Sequence, residues 1–334
     1  MKIQQIQAEA KANFSRFNPG SSKGFYESYF IRANHPTEKQ AFWIRYTIFA
    51  PKDEPQNNIG ELWFIYFDGK EIHPAKAEFP IENCSFPNKN FYVELQDNIL
   101  NSARAEGKID DVSWKLEFST DHKPLFLLPL PYYNSPFPKA KSIVSQPFAQ
   151  FKGHLKVGKK KFSIDNWVGS QNHNWGEKHT DYYAWGQVAG FDNSPDTFLE
   201  LVTAKLVIGG VETPFLTILV LRHKGKEYQI NSLSSWFLNK GSFDYFDWEF
   251  HCKTKEIEVK GRITAPRSAF VGLCYHNPIG GDKNCLNSKI ASCELEIIEK
   301  SKLGMPQSLY SDNKCAFEIL TNEGEENHGV EINF

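Results

Sequence analysis

Residues 167–188, WVGSQNHNWGEKHTDYYAWGQV, concentrate three tryptophans, two tyrosines and two histidines in one short stretch. Gly169 and Gly176 bound its first half, which is rich in amide side chains, and this pattern predicts a tight irregular turn. The second half alternates with period two, as a β-strand does. A strand face of aromatic and amide groups suits an apolar ligand with polar anchors. The residues predicted on that face are Tyr183, Trp185 and Gln187.

The same period-two alternation recurs along the chain and predicts an all-β protein. In AFWIRYTIFA, residues 41–50, both faces are apolar, which is typical of a strand covered on both sides. Asp68-Gly69 and Gly158 mark hairpins. Residues 125–147 contain five prolines and predict a long crossing loop rather than a central strand. Residues 1–17 favour a short helix or an arm.

Composition limits the classes of function. A length of 334 residues favours two domains, and 27 Phe, 13 Tyr and 8 Trp favour a β-rich globular protein. The formal net charge of −2, without a basic stripe, argues against a nucleic-acid partner. There is no apolar run of a signal peptide or membrane span, so we expect a cytoplasmic protein with six reduced cysteines.

The central stretch resembles a known superfamily. A G-x-L-x-V-G run, then W-V-G-S-x-x-H-x-W-G and Y-A-W-G-Q-V, is similar to carotenoid 1,2-hydratases, AttH-like proteins and, more distantly, tocopherol cyclases. The similarity covers residues 153–191. The matching positions are Trp167, His173, Trp175, Gly176 and Trp185.

The resemblance implies two tandem lipocalin-like antiparallel β-barrels or half-open sheets. On this basis we expect an N-terminal arm at residues 1–19, a first domain at 20–176 and a second at 177–334. It also implies acid-promoted hydration or cyclisation of an isoprenoid alkene, for which we expect no cofactor and no metal. The substrate would be isoprenoid or polyketide-derived.

One departure from the family pattern concerns the proton donor. The hydratases carry an acid before the box histidine, whereas this chain has Asn172, which cannot protonate an alkene. Glu177 or Asp181 could take over, because desolvation among aromatic rings raises the pKa of a carboxyl and keeps it protonated. The catalytic candidates are therefore His173, Glu177 and Asp181.

The candidate substrate-binding residues are Trp167, Asn172, Trp175, Tyr183, Trp185, Gln187, Glu27 and Arg45. Structural alternatives remain open for several of them. His173 is as well explained by bonds within the turn, and Glu177 by a solvated position. Glu27 facing Arg45 on the next strand would make a structural ion pair, which we favour over a functional role.

Three functions are compatible with these residues. The leading hypothesis is a cofactor-independent cyclase, hydratase or isomerase of a hydrophobic metabolite. The second is a non-catalytic carrier of such a metabolite, and the third a purely structural tandem β-protein. The expected partner is a hydrophobic small molecule, together with transient contact with a membrane surface.

Overall fold

The computed structural model describes residues 2–300 and 304–334. The chain divides into two compact units. Unit 1 comprises residues 1–126, 130–179 and 276–281, of which the first residue lies outside the described part, and unit 2 comprises residues 127–129, 180–275 and 282–334. Each unit is built on one large antiparallel sheet.

Unit 1 begins with a helix, α1 (Lys2–Ala10), and continues into strands that pair in the order β4-β3-β2-β1-β12-β11-β9-β8-β7-β6-β5, with β10 added to β11. The ends of the sheet curl together, so that β4 approaches β8. The strands are β1 (Phe25–Asn34), β2 (Ala41–Ala50), β3 (Ile59–Phe67), β4 (Ile72–Pro80), β5 (Cys84–Ser85), β6 (Tyr92–Leu95), β7 (Asn98–Asn101), β8 (Arg104–Ile109), β9 (Val112–Ser119), β10 (Leu125–Phe126), β11 (Ala140–Val157) and β12 (Lys160–Gly176).

The curled sheet of unit 1 encloses an aromatic core. Period-two alternation sends one side chain in two to this inner face, including Tyr29 on β1 and Tyr46 on β2. The Tyr46 hydroxyl donates to the Ile99 carbonyl oxygen at 3.0 Å and accepts from Trp114 Nε1 at 3.2 Å. These bonds join strands that are distant in the sheet, and they satisfy polar atoms inside the core.

Unit 2 repeats the architecture with the strand order β18-β17-β14-β13-β24-β23-β21-β20-β19; β22 pairs with β23, and β15 with β16. Its helices are α2 (Leu233–Leu238) and α3 (Glu325–His328). The strands are β13 (Tyr182–Phe191), β14 (Ser194–Lys205), β15 (Val207–Ile208), β16 (Val211–Glu212), β17 (Leu216–His223), β18 (Lys226–Ile230), β19 (Lys240–Asp244), β20 (Asp247–Lys253), β21 (Ile257–Thr264), β22 (Val271–His276), β23 (Asp282–Glu299) and β24 (Gln307–Thr321). Short 3-10 turns lie at Pro55–Asn57, Ile81–Asn83, Leu130–Asn134 and Arg267–Ala269.

The predicted fold class is confirmed. Strands take up 60% of the chain and helices, with the 3-10 turns included, 10%, in a nearly closed antiparallel barrel and further sheets, as expected of tandem lipocalin-like barrels. The core of unit 2 is also aromatic: Trp248 is fully buried and its Nε1 donates to Thr203 Oγ1 across the sheet at 3.0 Å. Among the described residues, no helix has the length and apolarity that a membrane crossing requires.

The predicted tight turn at Gly169–Gly176 is wrong, because these residues continue strand β12. The glycines instead allow the backbone of a neighbouring segment to approach β12 closely. A Cβ built on Gly169 would lie 1.8 Å from the Arg32 carbonyl oxygen on β1, and one on Gly176 would lie 2.6 Å from the Lys139 carbonyl oxygen. Glycine in a strand interior often marks such contacts. The correction places His173 inside a paired strand.

The predicted crossing loop at residues 125–147 is also too long, because strand β11 begins at Ala140. Pro147 lies within that strand opposite Ser170. The register shifts on both sides of it, between Val144 and Gln146 and between Pro147 and Ala149. A bulge tolerates proline because the ladder is already interrupted there.

The contact at Gly169 generates a prediction. Gly169→Ala forces a methyl group against backbone atoms that cannot move aside, so we expect it to lower the free energy of unfolding by at least about 2 kcal/mol. Gly20→Ala is the matched control, because its nearest neighbouring atom lies at 3.8 Å. Urea unfolding measures both. Equal stability of the two variants would contradict the close approach.

Candidate functional site

A buried histidine–carboxylate pair lies on the inner face of unit 1. Glu27 on β1 and His173 on β12 come from neighbouring strands, with Tyr29 directly opposite His173 in the register. His173 Nε2 lies 2.8 Å from Glu27 Oε1, and neither side chain is exposed to solvent. Charged groups are rarely fully buried unless they are paired, so this contact is the first candidate for chemistry.

The partners of the pair determine where its protons lie. His173 Nδ1 lies 2.6 Å from the Ala12 carbonyl oxygen, which can only accept, so Nδ1 carries a proton. Glu27 Oε1 accepts the backbone N–H of Arg16 at 2.8 Å, and Oε2 accepts that of Phe17 at 3.1 Å. When Glu27 is ionised, His173 Nε2 donates to Oε1 as well, and the two groups form an imidazolium–carboxylate pair.

The pKa of Glu27 supports this assignment. Burial raises the pKa, but the hydrogen bond and charge of His173, with the bonds from Ser15 and the Arg16 backbone, lower it by more. The net pKa lies below its ordinary value of 4.5. Ser15 Oγ contributes at 2.7 Å from Oε2. Glu27 is therefore ionised near neutral pH despite its burial.

Aromatic rings enclose the imidazolium on two sides. Tyr29 stacks on His173 with ring centroids 4.2 Å apart and planes 10° apart, and Trp175 lies at 4.7 Å. The Tyr29 hydroxyl also donates to Glu27 Oε1 at 3.2 Å. Burial and the Glu27 charge raise the pKa of Tyr29 well above 10, so it remains a donor. Such faces attract cations.

The chain segment after α1 closes this site. We call residues 11–17 the cap segment. Its contributions are the Ala12 carbonyl, the Ser15 hydroxyl and two backbone N–H groups, all bonded to the pair. Asn13 exchanges amide hydrogen bonds with Gln171 on β12 at 2.6 and 3.2 Å. The pair is thus buried partly by its own N-terminal segment.

A second buried polar cluster lies in unit 2. On β13, Ala184 and Val188 belong to the core, whereas Trp185 and Gln187 point to the opposite face. Trp185 Nε1 and Gln187 Nε2 each donate to a separate carboxylate oxygen of Glu200 at 2.8 Å. The predicted shared face of Tyr183, Trp185 and Gln187 is therefore correct, and it faces away from the core.

Lys289 completes the unit 2 cluster. Its Nζ lies 2.7 Å from Glu318 Oε1 and 5.6 Å from the centroid of the Trp185 ring, and the lysine is fully buried. Asn287 Nδ2 also donates to Glu318 Oε1 at 3.1 Å. Two carboxylates and one ammonium are held here among aromatic and amide groups.

The predicted acids downstream of His173 lie in different settings. Glu177 is half-exposed and forms an ion pair with Lys139 in unit 1. Asp181 belongs to unit 2 and accepts the backbone N–H of Val207 at 3.0 Å through Oδ2. Neither of these contacts involves His173.

The predicted ion pair between Glu27 and Arg45 is wrong. In the register of β1 and β2, Glu27 lies opposite Ile48 and Arg45 lies opposite Phe30, which puts the two side chains on opposite faces of the sheet. Asn172 lies on that other face too, bonded to Ser170 Oγ at 2.8 Å. Arg45 and Asn172 thus stand apart from the histidine.

Trp167, a predicted substrate-binding residue, and His179 in the same stretch have structural surroundings. Trp167 is buried in the unit 1 core, 5.9 Å from the ring of Phe42. His179 stacks on Tyr26 at 4.1 Å. Trp175, by contrast, contacts His173 directly.

Metal ligands are available elsewhere in unit 1. Asp68, Glu71 and His73 in the β3–β4 hairpin bring their ligand atoms within 4.8 Å of one another. They already contact one another, with His73 Nε2 3.4 Å from Asp68 Oδ2 and 3.8 Å from Glu71 Oε2. Both ring nitrogens of His173 are instead engaged with oxygen atoms of the protein.

Sequence reasoning missed the cap segment, Tyr29 and Glu200. One signal was available in the sequence. Glu27, Tyr29 and Ile31 are two residues apart on β1, so the acid shares a face with two core residues. Nothing in the sequence indicated that a segment before the first strand would return to cover that face.

Comparisons with known proteins bear on the fold. No family model and no curated protein matches the chain. A protein of Nitrosomonas europaea described as an AttH candidate aligns over 89% of this chain and 92% of its own, with a TM-score of 0.54 and 10% identity. Kievitone hydratase from Nectria haematococca aligns over 94% and 92%, with a TM-score of 0.54 and 12% identity. The predicted resemblance is confirmed as a likeness of fold.

The pair generates a stability prediction. Glu27→Gln leaves the imidazolium without its counter-charge, so we expect it to lower the free energy of unfolding by about 3 kcal/mol near neutral pH. Folding lowers the pKa of Glu27 below its ordinary value of 4.5. The ionised carboxylate therefore contributes fully to the free energy of unfolding above pH 4.5, and this contribution is lost as the pH falls through the pKa of the folded state. The difference in the free energy of unfolding between wild type and Glu27→Gln should therefore become smaller at acidic pH.

Glu177→Gln is the control for this measurement. Its half-exposed pair with Lys139 should contribute less than about 1 kcal/mol. Urea unfolding in a series of buffers from neutral to acidic pH compares the proteins. A Glu27→Gln variant as stable as Glu177→Gln at neutral pH would contradict the buried ion pair.

Proposed function

We propose that the chain is a hydratase-type enzyme that adds water to a carbon–carbon double bond of an apolar substrate, with His173 and Glu27 as its proton-transfer pair. One observation carries the proposal: both ring nitrogens of the fully buried His173 contact oxygen, Nε2 at 2.8 Å from Glu27 Oε1 and Nδ1 at 2.6 Å from the Ala12 carbonyl oxygen. A positioned acid is the group that alkene hydration requires.

The two nitrogens have different roles. Glu27 holds Nε2–H and so fixes the ring, while Nδ1–H is the proton that is transferred. In the first step that proton bonds to one alkene carbon and leaves a cation at the other. Water then bonds to the cation, and its surplus proton returns to Nδ1. The sum is one alkene and one water giving one alcohol, a redox-neutral reaction that consumes no cofactor.

The surroundings of the pair suit a cationic intermediate. The Tyr29 and Trp175 rings lie 4.2 and 4.7 Å from the His173 ring, and Glu27 supplies a negative charge. Aromatic faces stabilise a cation by roughly 0.5–2 kcal/mol, more where water is excluded. Their apolar surface would also hold an isoprenoid or polyketide-derived skeleton.

Cyclisation would begin with the same proton transfer. If a second double bond or a hydroxyl of the substrate reached the cation before water did, the product would be a ring with the mass of the substrate. A hydrated product gains the mass of one water. Mass spectrometry therefore separates the two reactions on the same site.

The comparisons support the choice of hydration. Kievitone hydratase is named for that reaction, and its chain aligns over almost its whole length with this one. At 12% identity the likeness carries the fold alone, so the residue assignment rests on the pair itself. We assign the acid role to His173 with Glu27 rather than to Glu177 or Asp181.

The test uses kievitone and geraniol as probes, with product detected by mass. Wild type should convert at least one of them, and His173→Gln and Glu27→Gln should each lower turnover at least about 10²-fold. Glu177→Gln and Asp181→Asn should keep wild-type turnover. Circular dichroism checks that each variant folds.

Other outcomes would overturn the proposal. Tight binding of both probes without conversion would favour the carrier hypothesis. Conversion that survives His173→Gln and Glu27→Gln would move the chemistry elsewhere, first to the buried carboxylates of unit 2 at Glu200 and Glu318.

A further inference from the structure

We infer that the cap segment occupies the place of the substrate over the His173–Glu27 pair, and that the substrate brings its double bond to the place of the Ala12 carbonyl and a hydroxyl to the place of the Ser15 hydroxyl. The inference rests on the proposed function, since it concerns the same site. It adds the polar pattern of the substrate and an autoinhibitory contact.

The cap segment contacts two polar atoms through which the pair could reach a substrate, His173 Nδ1 and Glu27 Oε2. The Ala12 carbonyl oxygen lies 2.6 Å from His173 Nδ1, on the proton that the reaction transfers. The Ser15 hydroxyl lies 2.7 Å from Glu27 Oε2, the carboxylate oxygen that His173 leaves free. While these contacts persist, neither group can reach another molecule. A substrate must therefore displace both contacts, bringing its double bond to Nδ1–H and a hydroxyl to Glu27 Oε2.

The cap segment is attached by apolar and polar contacts together: Ala12 packs with Phe126, Ile143 and Trp175, and the Phe17 ring stacks on that of Phe25 at 6.5 Å. Helix α1 has nine residues, and its Ile3 and Ile6 are 73% and 61% exposed, so it buries little apolar surface. Isolated helices of that length are marginal in water. The Asn13–Gln171 amide pair and the Arg16 guanidinium 5.1 Å from the Trp175 ring also hold the cap segment. Helix α1 therefore adds little to the free energy of closing, which the contacts of the cap segment itself supply.

The electrostatics of opening favour an exchange rather than an empty site. Without the cap segment, Glu27 loses the Ser15 hydroxyl and two backbone N–H donors and keeps His173 and Tyr29. A buried carboxylate short of donors is costly, so a ligand hydroxyl is required to refill the position. With the flanking rings, this describes a flat or branched apolar molecule bearing a hydroxyl.

Phenol and toluene test the chemistry as probes of nearly equal shape. Hydrogen–deuterium exchange at the Arg16 and Phe17 amides reports whether the cap segment leaves, because both bond to Glu27. Phenol should speed their exchange several-fold and toluene at the same concentration should not. Equal effects, or none with either probe, would overturn the assigned polar pattern.

Asn13→Ala tests the competition. Loss of the amide pair with Gln171 should raise the affinity for phenol about 10-fold, because a larger fraction of the protein is open. Gln7→Ala, at an exposed position of α1, should leave the affinity unchanged. If phenol instead protects the Arg16 and Phe17 amides in wild type and Asn13→Ala, the segment is a fixed wall of the site.

These readouts are exchange and affinity, so they do not depend on turnover. If phenol displaces the cap segment while Glu27→Gln keeps full activity on kievitone or geraniol, the inference holds and the proposed function fails. If the His173→Gln and Glu27→Gln variants lose turnover as proposed but phenol does not change the exchange of the Arg16 and Phe17 amides, the inference about the cap segment is wrong and the proposed function stands.

Discussion

The hydrogen bond between His173 Nε2 and Glu27 Oε1 is the contact on which the described site depends. An imidazolium or a carboxylate alone at this depth would lose its hydration without compensation, which disfavours the charged form by several kcal/mol. Together, and with every polar edge bonded, the two are stable as ions. The pair therefore requires bonding partners at its remaining polar atoms, which the cap segment supplies here and a substrate would have to replace.

The alternation of side chains predicted most of the strands, because burial on a sheet face imposes a period of two. It failed at Gly169–Gly176, where glycine and amide residues read as a turn. Glycine has two uses in a strand-rich chain, a positive φ or a close backbone contact, and sequence alone does not separate them. Here the Arg32 carbonyl oxygen leaves no room for a Cβ.

The candidate site was predictable only in part. His173 and Trp175 came from the resemblance, and they do meet. Glu27 was named but was paired with Arg45. The sequence does not give the strand register, and a register shift of one position moves a side chain to the other face of the sheet. The contribution of Ser15 and the Ala12 carbonyl depends on a chain reversal over more than ten residues, for which no local pattern gives a signal.

The central claim is that His173 is a buried imidazolium. Nitrogen-15 NMR of histidine-labelled protein measures this directly, with the His173 signal assigned by its disappearance in His173→Gln. The account predicts that both ring nitrogens of His173 carry protons near neutral pH, with slow solvent exchange. A bare ring nitrogen on His173 under those conditions would contradict it.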